Sequence, residues 1–254
     1  MLILGCVVFL SLAMAGAWLV RLKTGNSGWI DAIWSAATGF AGLVAALSAP
    51  LSGRSLLAAA LVAFWSFRLA SHIFRRASAG GDDPRYAALA QEWGANFRKR
   101  LFIFLQIQAV AALPLVAAAA AAARAERPFP DVFDLLGLAV ALAGIAGEAL
   151  ADAQLAGFRR TAAKGAICET GLWRYSRHPN YFCEFLFWCG WPLIAFGFPT
   201  GFVTMAAPAF IYWLLNHVSG VPPLEQSMRA SRGAAFDAYA KRVSRFFPRP
   251  PRLS

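Results

Sequence analysis

The chain has 254 residues, 59% hydrophobic and 15% charged, with a mean hydropathy of +0.53. Soluble domains are nearer half apolar and a quarter charged, so this composition excludes an ordinary globular protein and implies an all-α, polytopic membrane protein. The net charge of +11 sits in short blocks between apolar runs, where it anchors loops at a membrane surface; no nucleic-acid partner is expected.

Crossing the hydrocarbon takes about 20 apolar residues. About seven transmembrane helices are predicted on that basis, near Leu2 to Val20, Trp29 to Leu47, Leu56 to Phe74, Leu101 to Ala122, Val132 to Leu150, Tyr181 to Phe198 and Phe202 to His217. A Pro-Thr-Gly turn joins the last two into an antiparallel hairpin. The alanine run at 117–123 reads as a helix end rich in a strong helix former. No internal repeat or soluble domain interrupts the pattern, so a single integral membrane domain over 1–254 is expected. Ala13-Met14-Ala15 resembles a signal-peptidase site, yet no positive segment precedes it and the apolar run continues to Val20, which reads as a retained first span.

Twenty of the 24 Lys and Arg residues fall in the loops after the first, third, fifth and seventh spans; three fall after the second and fourth, and Arg68 lies inside a span. That asymmetry predicts an outward N-terminus and a cytoplasmic C-terminal tail. Cys6, Cys168, Cys183 and Cys189 form no Cys-x-x-Cys pair and have no His at metal spacing, so no metal site is expected.

Charged and polar residues in or beside apolar spans are costly and mark candidate sites. In chain order the first group is Asp31, early in the second span, with Arg68 and His72 one helical turn apart in the third. Arg68 needs a partner at that depth, and Asp31 is the obvious one; the pair reads as structural or catalytic. Glu148 and Asp152 share a face at the end of the fifth span, followed by Arg159 and Arg160. Their targets are ligand hydroxyls or amides, or the arginines of the tail.

The densest group is GLWRYSRHPNYFCE at 171–184, which sets Arg174, Tyr175, Arg177, His178, Asn180, Tyr181 and Glu184 against an apolar span. A positive anchor at a helix entrance accounts for the arginines alone. Pro179 biases His178 away from helical dihedrals, and Asn180 reads as the N-cap of the sixth span. Free backbone donors there, with Glu184 one turn along, suit an amide or ribose better than a bare phosphate. In the tail, Glu225, Arg229, Arg232, Tyr239, Lys241, Arg242 and Arg245 occupy an amphipathic stretch. Lys241, Arg245, Arg249 and Arg252 read as cations snorkelling toward anionic membrane lipids, while Glu225, Arg232, Tyr239 and Arg242 remain open between that role and ligand contact.

The blocks Asn26 to Trp34, Phe67 to Ile73, Asp83-Pro84-Arg85-Tyr86 with Trp93-Gly94, Glu148 to Leu155, Arg174 to Tyr181 and the Phe-Phe-Pro-Arg-Pro-Pro ending together resemble bacterial members of the steroid 5-alpha-reductase-like membrane family, over almost the whole chain. The Arg-His-Pro-Asn-Tyr motif is shared with sterol reductases and with isoprenylcysteine and phospholipid methyltransferases. The resemblance implies residues 1–125 as substrate-side helices and 126–254 as a cofactor-binding half with a cytoplasmic tail, in a bacterial inner membrane. It implies an oxidoreductase that uses NADPH to reduce a carbon-carbon bond conjugated to a carbonyl in a lipid or steroid-like substrate. Asp152, Arg159, Tyr175, Asn180 and Glu184 match the pattern's cofactor positions, with Arg177, His178 and Tyr181 in the same block and Glu225, Arg232, Tyr239 and Arg242 as looser matches. In that family a glutamate on the second helix and a tyrosine on the third polarise the substrate ketone; Asp31 and Arg68 or His72 stand in those regions as catalytic candidates, and the third span has no tyrosine. Two other readings stay open: a methyltransferase using S-adenosylmethionine, and a lipid-binding membrane protein without catalysis.

Overall fold

The computed structural model describes residues 1–252 except Gly81 and Lys164, so Leu253 and Ser254 at the expected cytoplasmic tail end lie outside the described residues. Among the described residues every regular element is helical. The α-helices are α1 (Leu2–Thr24), α2 (Gly28–Leu47), α3 (Gly53–Ser78), α4 (Pro84–Trp93), α5 (Phe97–Ala111), α6 (Leu113–Ala123), α7 (Val132–Thr161), α8 (Pro179–Ile194), α9 (Ala206–Trp213), α10 (Val221–Arg232) and α11 (Ala234–Arg242). Six helical stretches are long and apolar enough to cross a membrane: Leu2–Thr24, Gly28–Leu47, Gly53–Ser78, Arg85–Ala123, Val132–Thr161 and Gly201–Arg232. The sixth predicted span becomes α8, whose 16 residues cover about 24 Å, short of a hydrocarbon core of about 30 Å. The fourth is assembled from α5 and α6, which break at Ala112 just ahead of Pro114, a residue with no N–H to continue the ladder.

The chain divides into two compact units, Met1–Leu135 with Trp191–Ala207, and Leu136–Gly190 with Pro208–Ser254. In the first unit α1 buries one stripe, Cys6, Leu10, Met14 and Ala17, at the i, i+4, i+8 and i+11 spacing of a single helix face, and packs on α2 and α5. Helices α2 and α3 pack closely, with Gly39 against the Ser66 side chain. The start of α3 is fixed by a reciprocal capping box: Ser52 Oγ accepts from Ser55 N at 3.1 Å and Ser55 Oγ from Ser52 N at 2.8 Å.

One ion cluster governs the far end of this unit. Arg54 and Asp134 are 2% and 1% exposed, and they meet as a fork, Nε to Oδ1 at 2.7 Å and Nη2 to Oδ2 at 2.6 Å. The remaining Arg54 donors go to the carbonyls of Ala125, Arg127 and Pro128. Such a pair is tolerable in a low-dielectric interior because every polar atom is matched. Asp131 caps α7 by accepting from Phe133 N and Asp134 N at 2.9 Å each, and Arg127 Nε donates to its other oxygen at 2.7 Å.

In the second unit, α7 and α8 approach at backbone distance, as membrane helices do when small residues face each other. A methyl group at Gly144 would lie 2.5 Å from Phe187 N and 2.7 Å from Cys183 O. Replacing a helical glycine by alanine ordinarily stabilises by about 1 kcal/mol, while forcing two backbones apart costs about 1–3 kcal/mol. Gly144→Ala is therefore expected to lower the melting temperature in detergent, whereas Gly157→Ala, on the same helix with open space around it, should hold or raise it; equal responses would contradict the close approach.

Acid stability offers a second check. The hydrogen bond from Arg127 leads the effects that push the Asp131 carboxyl from 3.8 down to about 2. A depressed carboxylate contributes stability that is present above its ordinary value and lost as pH falls through its folded value. Asp131→Asn should thus melt below the wild type at neutral pH, by a gap that narrows below about pH 4; a gap independent of pH would remove the charge from the account.

Candidate functional site

The 171–184 block is built by threading it between α7 and the tail. Gly171 adopts φ 58°, a left-handed turn that glycine takes without strain, and opens a 3-10 turn to Arg174. Gln154 Oε1 accepts from Leu172 N at 2.9 Å and the Ala151 carbonyl from Trp173 Nε1 at 2.9 Å, which moors the turn on α7. The tail then runs alongside: Arg177 N donates to Ser244 O at 2.8 Å, Arg249 N to Tyr175 O at 3.0 Å, and Ser176 Oγ to Phe246 O at 2.8 Å. Phe246 and Phe247 close on Phe182, Phe185 and Tyr212 in edge-on contacts, with the Phe247 and Tyr212 rings stacked.

A guanidinium and an imidazole converge on one carboxylate. Glu225 Oε1 accepts from Arg177 Nε at 2.8 Å and lies 3.0 Å from His178 Nε2. Arg177 Nη1 donates to the carbonyls of Ala240 and Val243 at 3.1 and 2.8 Å. His178 is 1% exposed, and burial holds its imidazole below the ordinary value although the Glu225 hydrogen bond opposes that shift. A neutral ring facing a carboxylate must carry its hydrogen on Nε2, so Nδ1, which has no hydrogen-bond partner, is left as an acceptor.

The entrance of α8 differs from the expected cap. The helix begins at Pro179, and Phe182 N donates to the His178 carbonyl at 3.0 Å. His178 is thus the cap and Pro179 the first helical residue, a position that needs no N–H. Asn180 lies inside the helix, where its Oδ1 accepts from Tyr181 N at 3.0 Å and its Nδ2 donates to Asp152 Oδ1 at 3.2 Å. Asp152 and Asn180, singled out from different spans, are brought together. Glu184 is buried and accepts from Trp188 Nε1 at 2.9 Å, while Tyr181 stacks on His178 with planes 10° apart.

The other expected cofactor positions have separate surroundings. Arg159 is exposed at the end of α7, and the Tyr175 ring is 42% exposed. Tyr239 is buried, with its hydroxyl donating to the Trp173 carbonyl at 2.7 Å; burial raises its pKa, so it acts as a neutral strut. Arg242 Nη2 holds Glu169 at 2.7 and 2.9 Å, and Arg232 Nη1 reaches Ser231 Oγ at 3.3 Å. A groove of about 510 Å³ lined by Pro222, Glu225, Gln226, Arg229, Ala230 and Arg245 runs along α10.

In the first unit Arg68 and His72 lie one turn apart on α3 as expected. Asp31 takes Arg85 as an ion partner. Its other oxygen accepts from the Tyr86 hydroxyl at 3.1 Å, and Gln108 Nε2 lies 3.4 Å from the same hydroxyl. The reason is local: Asp83 caps α4 by accepting from Arg85 N at 3.0 Å and also binds Arg85 Nε at 2.9 Å. Burial alone would raise the Asp83 carboxyl, yet the hydrogen bonds and charge of Arg85 hold it below its ordinary value. Arg85 and Tyr86 are thereby delivered to Asp31. Neither had been assigned a role from sequence, although Asp-Pro is a recognisable helix start that fixes where both residues emerge.

The family model described as a protein of unknown function, DUF1295, matches residues 17–243. The chain belongs to this family. A segment of the DUF1295 chain is 31% identical over 87 residues to a Schizosaccharomyces pombe protein described as uncharacterized, covering 32% of this chain and 23% of the yeast protein. The match therefore spans under a quarter of that relative's length. No solved structure matches.

Tyr86 is 3% exposed, so deleting its hydroxyl strands the groups around Asp31 without water to replace it. Tyr86→Phe is expected to cost about 1–3 kcal/mol, read as a lower melting temperature, while Phe104→Leu beside it tests packing alone. A Tyr86→Phe protein as stable as the wild type would show that the hydroxyl does not hold Asp31.

Proposed function

We propose that the protein is an NADPH-dependent membrane reductase of a carbon-carbon double bond conjugated to a carbonyl, acting on a lipid or steroid-like substrate, with its C-terminal tail in the cytoplasm of a bacterial cell. The observation that carries the reading is the Asp31 to Tyr86 hydrogen bond. The steroid 5-alpha-reductase pattern has a glutamate on the second helix and a tyrosine on the third, and this third span lacks any tyrosine. Tyr86, at the start of α4, sets a phenol from a different helix beside the α2 carboxylate, which supports the same chemistry.

NADPH, when bound, supplies a hydride. The chain supplies the electrophilic side of the reaction. Tyr86 has one O–H hydrogen, which Asp31 holds; on substrate binding that hydrogen would turn from Asp31 to the substrate carbonyl and stabilise the enolate oxygen as charge develops there, and the enolate would then take a proton at its α carbon from water. Arg68 and His72 on α3 are the further candidates on the substrate side. The second unit carries residues suited to a nucleotide: the Glu225 carboxylate faces a groove with Arg229 and Arg245, a combination of hydroxyl acceptor and phosphate donors. The Asp152 and Asn180 pair adds a carboxylate and an amide.

A ligand that binds only the native state raises the melting temperature in proportion to its occupancy. Purified protein in detergent should therefore be stabilised by NADPH more than by S-adenosylmethionine at equal concentration. The reverse order would replace the reductase with a methyltransferase, and indifference to both would favour a non-enzymatic lipid-binding protein.

A further inference from the structure

The geometry points to Arg177 and His178 as positioning residues: we propose that they lock the Glu225 carboxylate so that its second oxygen receives ligand hydroxyl groups in the α10 groove. This rests on the reading of the second unit as a nucleotide site, and the hydroxyls are those of a ribose.

Arg177 Nε and Nη1 and His178 Nε2 are already committed within the protein. Arg177 uses Nε on Glu225, Nη1 on two carbonyls and its backbone N–H on Ser244. His178 has its backbone N–H on Ser176 Oγ at 3.1 Å, its ring against Tyr181 and its Nε2 on Glu225. A ring 1% exposed with one donor already used has nothing to offer a ligand directly. Glu225 is the opposite case. Oε1 takes the contacts of both Arg177 and His178, and the residue remains 13% exposed and lines the groove. A carboxylate has about four lone-pair sites, so Oε2 keeps its acceptor capacity. An ion pair serving stability alone would gain by enclosing both oxygens; this one encloses one and presents the other.

Locking matters because a glutamate in a water-filled groove samples several rotamers, and each ligand bond must first select one. Here the selection is made by residues of another loop before any ligand arrives. The arrangement also explains why Arg-His precedes Pro-Asn: Pro179 fixes the helix start, and the two residues before it fall where α10 can be reached.

The test is a double-mutant cycle on NADPH affinity with the full chain in detergent. Glu225→Gln and His178→Phe should each weaken NADPH about tenfold, as loss of a hydrogen bond to a charged group does. Because His178 acts through Glu225, the double variant should bind no worse than Glu225→Gln alone. His178→Gln, whose amide nitrogen sits near the Nε2 position, should recover affinity to within about threefold. Melting without nucleotide monitors folding. Should His178→Phe fail to fold, His178→Asn, with its nitrogen near the Nδ1 position, takes its place in the cycle. Losses that add to about a hundredfold, or unchanged affinity in His178→Phe, would overturn the lock while leaving the nucleotide site standing. A wild type that does not bind NADPH would overturn the nucleotide reading and with it the ligand of the lock.

Discussion

In a low-dielectric surrounding each buried ion needs a counter-ion or a set of dipoles, and this chain meets that demand with forked arginines. Arg54 joins the start of α3 to Asp134 and three carbonyls of the loop before α7. Arg85 joins the start of α4 to Asp31 on α2. Arg177 joins the loop before α8 to Glu225 on α10 and to the end of α11. Guanidinium suits all three places because one group serves several acceptors at once, a carboxylate and carbonyls at Arg54 and Arg177 and two carboxylates at Arg85. Each node sits at a helix terminus and fixes the loop there, which is where functional side chains are then displayed.

The helices and the membrane class were legible because hydrocarbon demands runs of about 20 apolar residues, and that signal is local. The 171–184 block was legible for the same reason inverted: polar residues beside an apolar span are conspicuous. Pairing was not legible. Arg85 lies 54 positions from Asp31, and the capping of α4 by Asp83 is what brings the two together. Arg54 read as one basic residue in a short loop, with no sign that its partner stood 80 positions away. Asn180 is a good cap by type, yet Pro179 claims the first helical position and moves the cap to His178.

The same pairing separates residues that hold from residues that face a ligand. Tyr239 and Arg177 were both selected as polar residues of a cofactor wall; Tyr239 donates to a backbone carbonyl, and Arg177 to two carbonyls and to Glu225. Glu225 lines a groove, and Arg177 and His178 both meet its Oε1. Tyr86 keeps company with a carboxylate and an amide, which is the chemistry a carbonyl-polarising acid requires.

The central claim is that this DUF1295 chain reduces a conjugated carbon-carbon bond. It is tested most directly by incubating the purified protein with NADPH carrying deuterium at the transferable C4 position and an enone lipid, then weighing the product. Reduction predicts a saturated ketone that carries one deuterium at the β carbon. Recovery of the enone lipid unchanged across a panel of sterol and isoprenoid enones, or transfer of a methyl group when S-adenosylmethionine is supplied in place of NADPH, would contradict it.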